Sequence, residues 1–305
     1  MSAMHLHSRS LLHFDVIRRC GSIREAARQL HLSSSALNRQ LLELEGELGT
    51  PLFERLPAGL KLTPVGEVLS RHVITVLQDA QRMGTELDAL KGIRRGTIDV
   101  LTVEALTPSF MPAVIETMSL RYPGVRMNVR IGGSREAAEG VMEAQADVAI
   151  CFMRQRTENL RQVAVGKFHL GAIMPVDHVL ARQGQVSFAD CAKYPLILPT
   201  PEIAIHEEIK PLLLACKEPH NVVLETGSFE LMKRMAMKGL GIAFVNRFGI
   251  ERELDEMTLR HVPLKDPVLF YLGIYVRAER VLTPAIDAFI RIASEEIQQR
   301  AAQEA

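Results

Sequence analysis

The 305-residue chain has no apolar run of membrane-spanning length, and Met1 to Phe14 lacks the charged-then-apolar pattern of a secretory leader. A cytoplasmic protein is therefore expected. Its four cysteines, Cys20, Cys151, Cys191 and Cys216, are scattered, with no close pair and no metal-like spacing. Buried free thiols in a reducing compartment follow, with a redox sensor as the alternative. Net charge is missing too: 36 Lys and Arg balance 36 Asp and Glu. That argues against a wholly basic nucleic-acid coat protein but leaves room for a local cationic cluster. Catalytic signatures are also absent. Gly239-x-Gly241 lacks the third glycine of a dinucleotide fingerprint and precedes a strand instead of following one. Gly132-Gly133-Ser134 is not a nucleophile elbow, and there is no phosphate loop and no paired metal-ligand spacing. His169, His178, His206 and His261 stand alone, while His5 and His7 lie in a terminus expected to fray. No enzyme, no metal and no cofactor are expected.

What is present starts with the stretch Gly21 to Gly49, two helical periods joined by a short polar turn. Leu6, Leu11, Phe14 and Ile17 predict a helix behind it. Ser22 is a candidate cap, with Ile23, Ala26, Ala27 and Leu30 on one face. Ser33 or Ser34 can cap the next helix, where Leu37, Leu41, Leu44 and Leu48 recur and Gly49 stops the run. Small residues where two helices must cross are the geometry of a helix-turn-helix, the second helix entering a DNA major groove. Thr50 to Arg55 and Leu60 to Leu62 read as a hairpin wing around Pro57-Ala58-Gly59. Thr63-Pro64 then opens a long helix. Its Leu69, Val73, Val76, Ala80, Met83, Leu87 and Leu90 form an a/d seam that predicts a coiled-coil dimer.

Position assigns the DNA-facing groups. Ser33, Ser34, Ser35, Asn38 and Arg39 lie on the first turns of the recognition helix, Ser33 chiefly as a cap. Asn38 suits an adenine edge bidentately, Arg39 a guanine edge or a phosphate. Arg24, Arg55 and Lys61 suit phosphates or the minor groove, within a cluster that includes Arg18, Arg19 and Arg28. Glu43, Glu45 and Glu47 offset it later on the recognition helix.

Gly92 to Gly96 reads as a hinge, and beyond it the pattern becomes α/β. Strands are expected at 97–103, 125–131 and 147–151, with helices from Thr107-Pro108 to Arg121 and from Ser134 to Gln145. A second α/β unit has strands at 168–174, 196–198, 242–245 and 269–276, helices at 205–216 and 230–237, and a closing helix at 284–296 before a fraying tail from Gln298. Ligands bind such folds at strand carboxyl ends and helix amino termini. Here these are Thr102 to Thr107, Gly132 to Ser134, and Pro199-Thr200, whose N–H groups suit a carboxylate.

The residues Phe14, Ile17, Gly21-Ser22, Ala26-Ala27, Leu30, Leu44-Glu45, Leu48-Gly49, Leu52-Phe53, Arg55 and Leu62-Thr63-Pro64-x-Gly66 resemble the N-terminal domain of LysR-type transcriptional regulators. Ser34-Ser35 and Asn38 depart from the family's usual glutamine-proline pair and serine, on the base-facing end. Arg121-Tyr122-Pro123, Asp147 to Ile150 and Lys238 to Ala243 are similar to the family's effector-binding part. The resemblance implies a winged helix-turn-helix at 6–63 (helix-turn-helix about 23–42), a linker and dimerisation helix at 64–92, and a periplasmic-binding-protein-like effector domain at 96–303. Subdomain I would comprise 96–165 and 273–303, and subdomain II 166–272, with a small-molecule effector between them. It further implies a DNA-binding regulator that forms dimers and tetramers, with RNA polymerase as a candidate partner. Ser134 matches a family effector position. The family's hydroxyl after the first strand falls on Ala105, beside Glu104, where an alanine donates nothing and a glutamate repels an anion. Thr102, Glu104, Ala105, Thr107, Ser134, Pro199 and Thr200 are the expected ligand residues. An exported solute-binding protein would leave the first ninety or so residues unexplained.

Overall fold

A computed structural model describes residues 9–57, 59–90, 96–153 and 157–304, without the side chains of 81, 82 and 85–90. The expected linker at 91–95, His5 and His7 lie outside the described residues. Two compact units are present: Met1–Ile93 with Arg280–Thr283, and Arg94–Glu279 with Pro284–Ala305.

In the first unit, α1 (Arg9–Cys20), α2 (Ile23–Gln29) and α3 (Ser34–Leu48) precede a hairpin of β1 (Phe53–Leu56) and β2 (Gly59–Leu62), and α4 (Pro64–Leu90) closes it. Local capping sets the boundaries. Ser22 accepts a bond from the Glu25 N–H at 3.5 Å, and Ser33, the actual cap of α3, accepts from that of Ala36 at 3.2 Å. Gly49 stops α3 at φ 68°, in the left-handed region open to glycine. The Thr63 hydroxyl accepts from the Gly66 N–H at 3.0 Å and donates to the Pro51 carbonyl at 2.9 Å. Glu45 does more than offset charge: its carboxylate accepts from the Leu52 and Phe53 N–H groups at 2.6 and 3.4 Å, tying the wing to α3.

Phe14, Ile17, Ala26, Ala27, Leu37, Leu41, Leu44, Leu52, Phe53 and Val73 make this unit's core, with the Phe14 and Phe53 rings 5.4 Å apart. Two expectations are corrected. Leu48 is 46% exposed and does not complete the buried face of α3. On α4, Val73 is wholly buried in the core and Leu69 packs against it, so the first two seam positions hold the helix to its own domain. Val76, Ala80 and Met83 are half-buried, and Leu87 and Leu90 lie outside the described side chains.

The second unit runs β3 (Gly96–Thr102), α5 (Phe110–Arg121), β4 (Val125–Ile131), α6 (Ser134–Met142), β5 (Val148–Phe152), β6 (Leu160–His169) and β7 (Gly171–Pro175). It continues through α7 (Phe188–Ala192), β8 (Leu196–Pro199), α8 (Ile205–Ala215), β9 (Val222–Thr226), α9 (Phe229–Met237) and β10 (Ala243–Val245). Last come α10 (Glu251–Asp255), β11 (Leu259–Pro263), β12 (Leu269–Arg277) and α11 (Pro284–Glu304). Strand order β4-β3-β5-β12-β6 builds subdomain I, with β3 parallel to β4 and β5, and β12 antiparallel to β5 and β6. Subdomain II holds an antiparallel β10-β7-β11 sheet and a parallel β8-β9 pair, joined where Ile242 bridges Leu196.

The crossovers are not where glycine suggested. Gly166 and Gly273 lie inside β6 and β12, whose register runs from Leu269 opposite His169 to Arg277 opposite Leu160. A Cβ on Gly166 would stand 2.6 Å from Ile297 Cγ2, so this glycine admits α11 against the sheet and is not a hinge. The chain crosses at Leu170 and returns at Val268, whose carbonyl accepts the Leu170 N–H at 3.0 Å. Subdomain I is therefore 96–169 with 269–304, and subdomain II is 170–268. Three further boundaries shift. α5 starts at Phe110, because Thr107 closes a 3-10 turn at Glu104–Leu106 by donating to the Glu104 carbonyl at 2.8 Å. α6 is capped at Gly133 and ends at Met142. The tail is helical to Glu304, held where the Arg300 guanidinium donates to Glu296 and Glu251 at 2.7 Å and to the Ser109 hydroxyl at 2.8 Å.

Within β11, His261 donates from Nε2 to the Val245 carbonyl at 3.1 Å, and burial pushes its pKa down to about 4. The unfolded imidazole takes its proton near pH 6.5 while the folded one stays neutral, so acid favours unfolding. Stability should fall as pH drops from about 6.5 towards 4, by on the order of 2–3 kcal/mol. Thermal melts at neutral and acid pH should show a smaller loss in His261→Gln, and an equal loss would contradict this.

Candidate nucleic-acid interface and effector cleft

On the first unit, Ser33, Ser34, Ser35 and Arg39 are exposed on the amino-terminal turns of α3, opposite the buried Leu37, Leu41 and Leu44. The Ser33 and Ser35 hydroxyls are 3.2 Å apart, and Arg39 leans towards Glu43 at 3.7 Å. The cationic cluster is thinner than its residue count suggested. Asp15 binds Arg18 at 2.8 Å and Arg19 at 3.0 Å, and Glu25 pairs with Arg28. Arg24 on α2 and Lys61 on β2 stay exposed with no acidic partner among the described residues. Arg55 is exposed as well, but its Nη2 donates to Asn38 Oδ1 at 2.9 Å. Arginine has no acceptor, so this bond fixes the Asn38 amide with its oxygen towards the wing. The bidentate adenine contact needs that oxygen too, so an adenine amino group has to share it with Arg55 while the bond holds.

In the second unit, a cavity of about 370 Å³ is walled by both subdomains. Glu104, Ala105 and Ser134 line it, as expected. Ser134 is buried, and its hydroxyl accepts the Phe152 N–H at 3.3 Å. Thr102 does not line the cavity: it is wholly buried and donates to the Ile150 carbonyl at 3.0 Å. Thr107 belongs to its turn. Pro199 and Thr200 do not line the cavity either; the following Glu202 to Ile205 do. The Thr200 hydroxyl beside Glu202 holds that carboxyl below its ordinary pKa.

Glu104, in the cavity wall, is engaged by the protein itself. Its carboxylate accepts the Phe229 N–H at 2.6 Å and the Ser228 hydroxyl at 3.2 Å, straddling the amino terminus of α9. A residue in the turn after β3 in subdomain I thereby grips a helix of subdomain II. Asn246, Phe229, Phe152 and Phe270 complete the cleft and were not read from the sequence. Only Asn246 left a signal, as the polar residue ending the apolar run Ile242 to Val245. Cys151 and Cys191 are buried, and burial pushes both thiols up to about 12, which disfavours the reactive thiolate. No helix among the described residues is long and apolar enough to cross a membrane.

Comparison with known proteins places these two sites in one lineage. Residues 8–67 match the bacterial regulatory helix-turn-helix protein, lysR family, and residues 91–298 match the LysR substrate binding domain. The chain is 29% identical over 281 residues to a probable RuBisCO transcriptional regulator of Synechocystis, covering 89% of this chain and 81% of that one. In structure it resembles a full-length OxyR variant from Pseudomonas aeruginosa, with a TM-score of 0.72 at 20% identity over 97% and 96% of the two chains. Full-length CbnR complexed with its target DNA superposes at a TM-score of 0.57, with 19% identity over 94% and 99%. These two likenesses speak for the fold alone. With a DNA-reading unit followed by a two-subdomain effector unit, the chain belongs to the LysR family of transcriptional regulators.

Proposed function

We propose that this regulator binds its operator as a dimer paired through the part of α4 beyond Val73, and responds to a small molecule held between subdomains I and II. Ser34, Ser35, Asn38 and Arg39 face the bases, while Arg24, Arg55 and Lys61 hold the phosphates or the minor groove. The observation that carries this reading is the one-sidedness of α3: its exposed amino-terminal turns stand opposite a face buried in the domain core. The effector half rests on a cavity whose walls come from both subdomains, so a ligand that prefers one closure shifts the spacing of the DNA-binding units. The ligand is sensed and not transformed. The protein acts in the cytoplasm as a dimer or tetramer, with RNA polymerase as a candidate partner.

Selection of genomic fragments by the purified protein should return a two-fold symmetric site with half-sites spaced by turns of the duplex. On that site, the Arg24→Ala/Lys61→Ala variant should flatten the dependence of log K on log salt by roughly 0.9 for each phosphate no longer neutralised. Retention of random fragments only, or an unchanged slope, would reject the assignment.

A further inference from the structure

We infer that the cleft is built for an uncharged effector, a largely apolar molecule of one or two rings that carries a carbonyl-type acceptor. This rests on the reading that the effector binds between the subdomains. Three independent features point there. First, one place an anion would take, the amino terminus of α9, is filled: the Glu104 carboxylate sits on the Phe229 N–H, and Ser228, which donates to Glu104, also accepts the Leu231 N–H at 3.2 Å. The protein supplies its own carboxylate to the amino terminus of α9. Second, among the described residues none that lines the cavity is Lys, Arg or His, whereas Glu104 and Glu202 both are part of its wall. An anionic ligand would meet two carboxylates and no counter-charge from these residues. Ala105, Phe152, Ile203, Phe229 and Phe270 supply apolar surface instead.

Third, Asn246 has a donor to offer. It is 1% exposed and lines the cavity; its Oδ1 accepts the Phe248 N–H at 3.1 Å, which fixes the amide, and its Nδ2 has no hydrogen-bond partner among the described residues. A buried N–H without an acceptor is costly, and a ligand oxygen relieves that cost. An ammonium has no acceptor and cannot do so. Size agrees: a cavity near 150 Å³ holds benzene, so 370 Å³ takes one or two rings. The Glu104 clasp then defines the unliganded closure of the two subdomains, and the effector acts by adding an oxygen at Asn246 without displacing it.

Calorimetry on the full chain with matched probes tests this: benzamide, acetophenone and coumarin against benzoate, cinnamate and benzylamine at millimolar concentration. The neutral set should bind at least about tenfold more tightly than the acids and the amine. Asn246→Leu should weaken the neutral set by about tenfold, and Glu104→Ala should raise benzoate affinity by a similar factor. Glu104→Gln, which keeps an acceptor for Phe229 but drops the charge, should also admit benzoate if the alanine variant fails to fold. Preference for an acid or for benzylamine, abolished when Ala105→Trp fills the cavity, overturns the uncharged class and leaves the cleft standing. Binding that Ala105→Trp leaves intact overturns the cleft itself. Failure of every probe to bind overturns the proposed class.

Discussion

Lys233→Met should destabilise the effector-binding unit by about 3–5 kcal/mol. Lys233 is 4% exposed, and its Nζ lies 2.8 Å from Glu230 Oε2, 2.8 Å from Glu253 Oε1 and 3.1 Å from the Gly249 carbonyl. It is the joint between α9, α10 and the turn that precedes α10. Burial alone would depress its pKa, but the hydrogen bonds and charges of Glu230 and Glu253 together raise it above the ordinary lysine value. The ammonium therefore supports the fold throughout neutral pH, and its contribution is lost only as pH climbs through that raised value. Methionine keeps the length and loses the charge, leaving Glu253, itself 7% exposed, buried without a counter-ion. A second change, Glu253→Leu, removes the orphaned charge and should recover much of the loss. Hydrogen exchange read on α9 and α10 distinguishes the cases. Unchanged protection in Lys233→Met would show that the triad contributes no net stability. Because Glu104 reaches the first turn of α9, the same variant should also loosen the clasp across the cleft.

Arg55→Met should change which base Asn38 prefers, not merely weaken binding. While Arg55 engages the Asn38 oxygen, an adenine amino group has to share it, whereas the amide N–H groups stay uncommitted to Arg55 and suit acceptors such as guanine N7 and O6 or thymine O4. Freed from Arg55, the amide regains the donor–acceptor pair that matches adenine. One base position in the selected operator should then shift towards adenine, by roughly 1–3 kcal/mol of discrimination. In an Asn38→Ala background, Arg55→Met should lower affinity across all sequences and flatten the salt slope without moving that preference. A base shift that persists without the Asn38 amide would assign the reading to another residue. The pair matters because it is a side-chain bond from the wing to the recognition helix.

Short-range chemistry explains what was legible beforehand. Ser22, Ser33, Gly49 and Thr63 act on backbone groups within a few residues, so the ends of α2, α3 and α4 follow from local sequence. Alternation and glycine placed most strands of the second unit. They failed at Gly166 and Gly273, where a small residue reads the same whether it bends the chain or makes room for a neighbour, and only the packing of Ile297 on Gly166 and of the Tyr275 ring on Gly273 distinguishes the two. β6, β9 and β11 were missed, the expected strand at 168–174 covering only the end of β6, since their pairing partners, not their own patterns, make them strands.

By itself, the order of residues determined the family, the two-unit plan and the outward face of α3, because helical periods and caps are written over a few turns of chain. Tertiary structure alone decided what the sites can hold. Asn38 meets Arg55 across 17 residues, and Glu104 meets Phe229 across 125. A glutamate expected to repel an anion is itself the anion, since a hydrogen-bonding partner so far along the chain is chosen by folding and leaves no periodic trace.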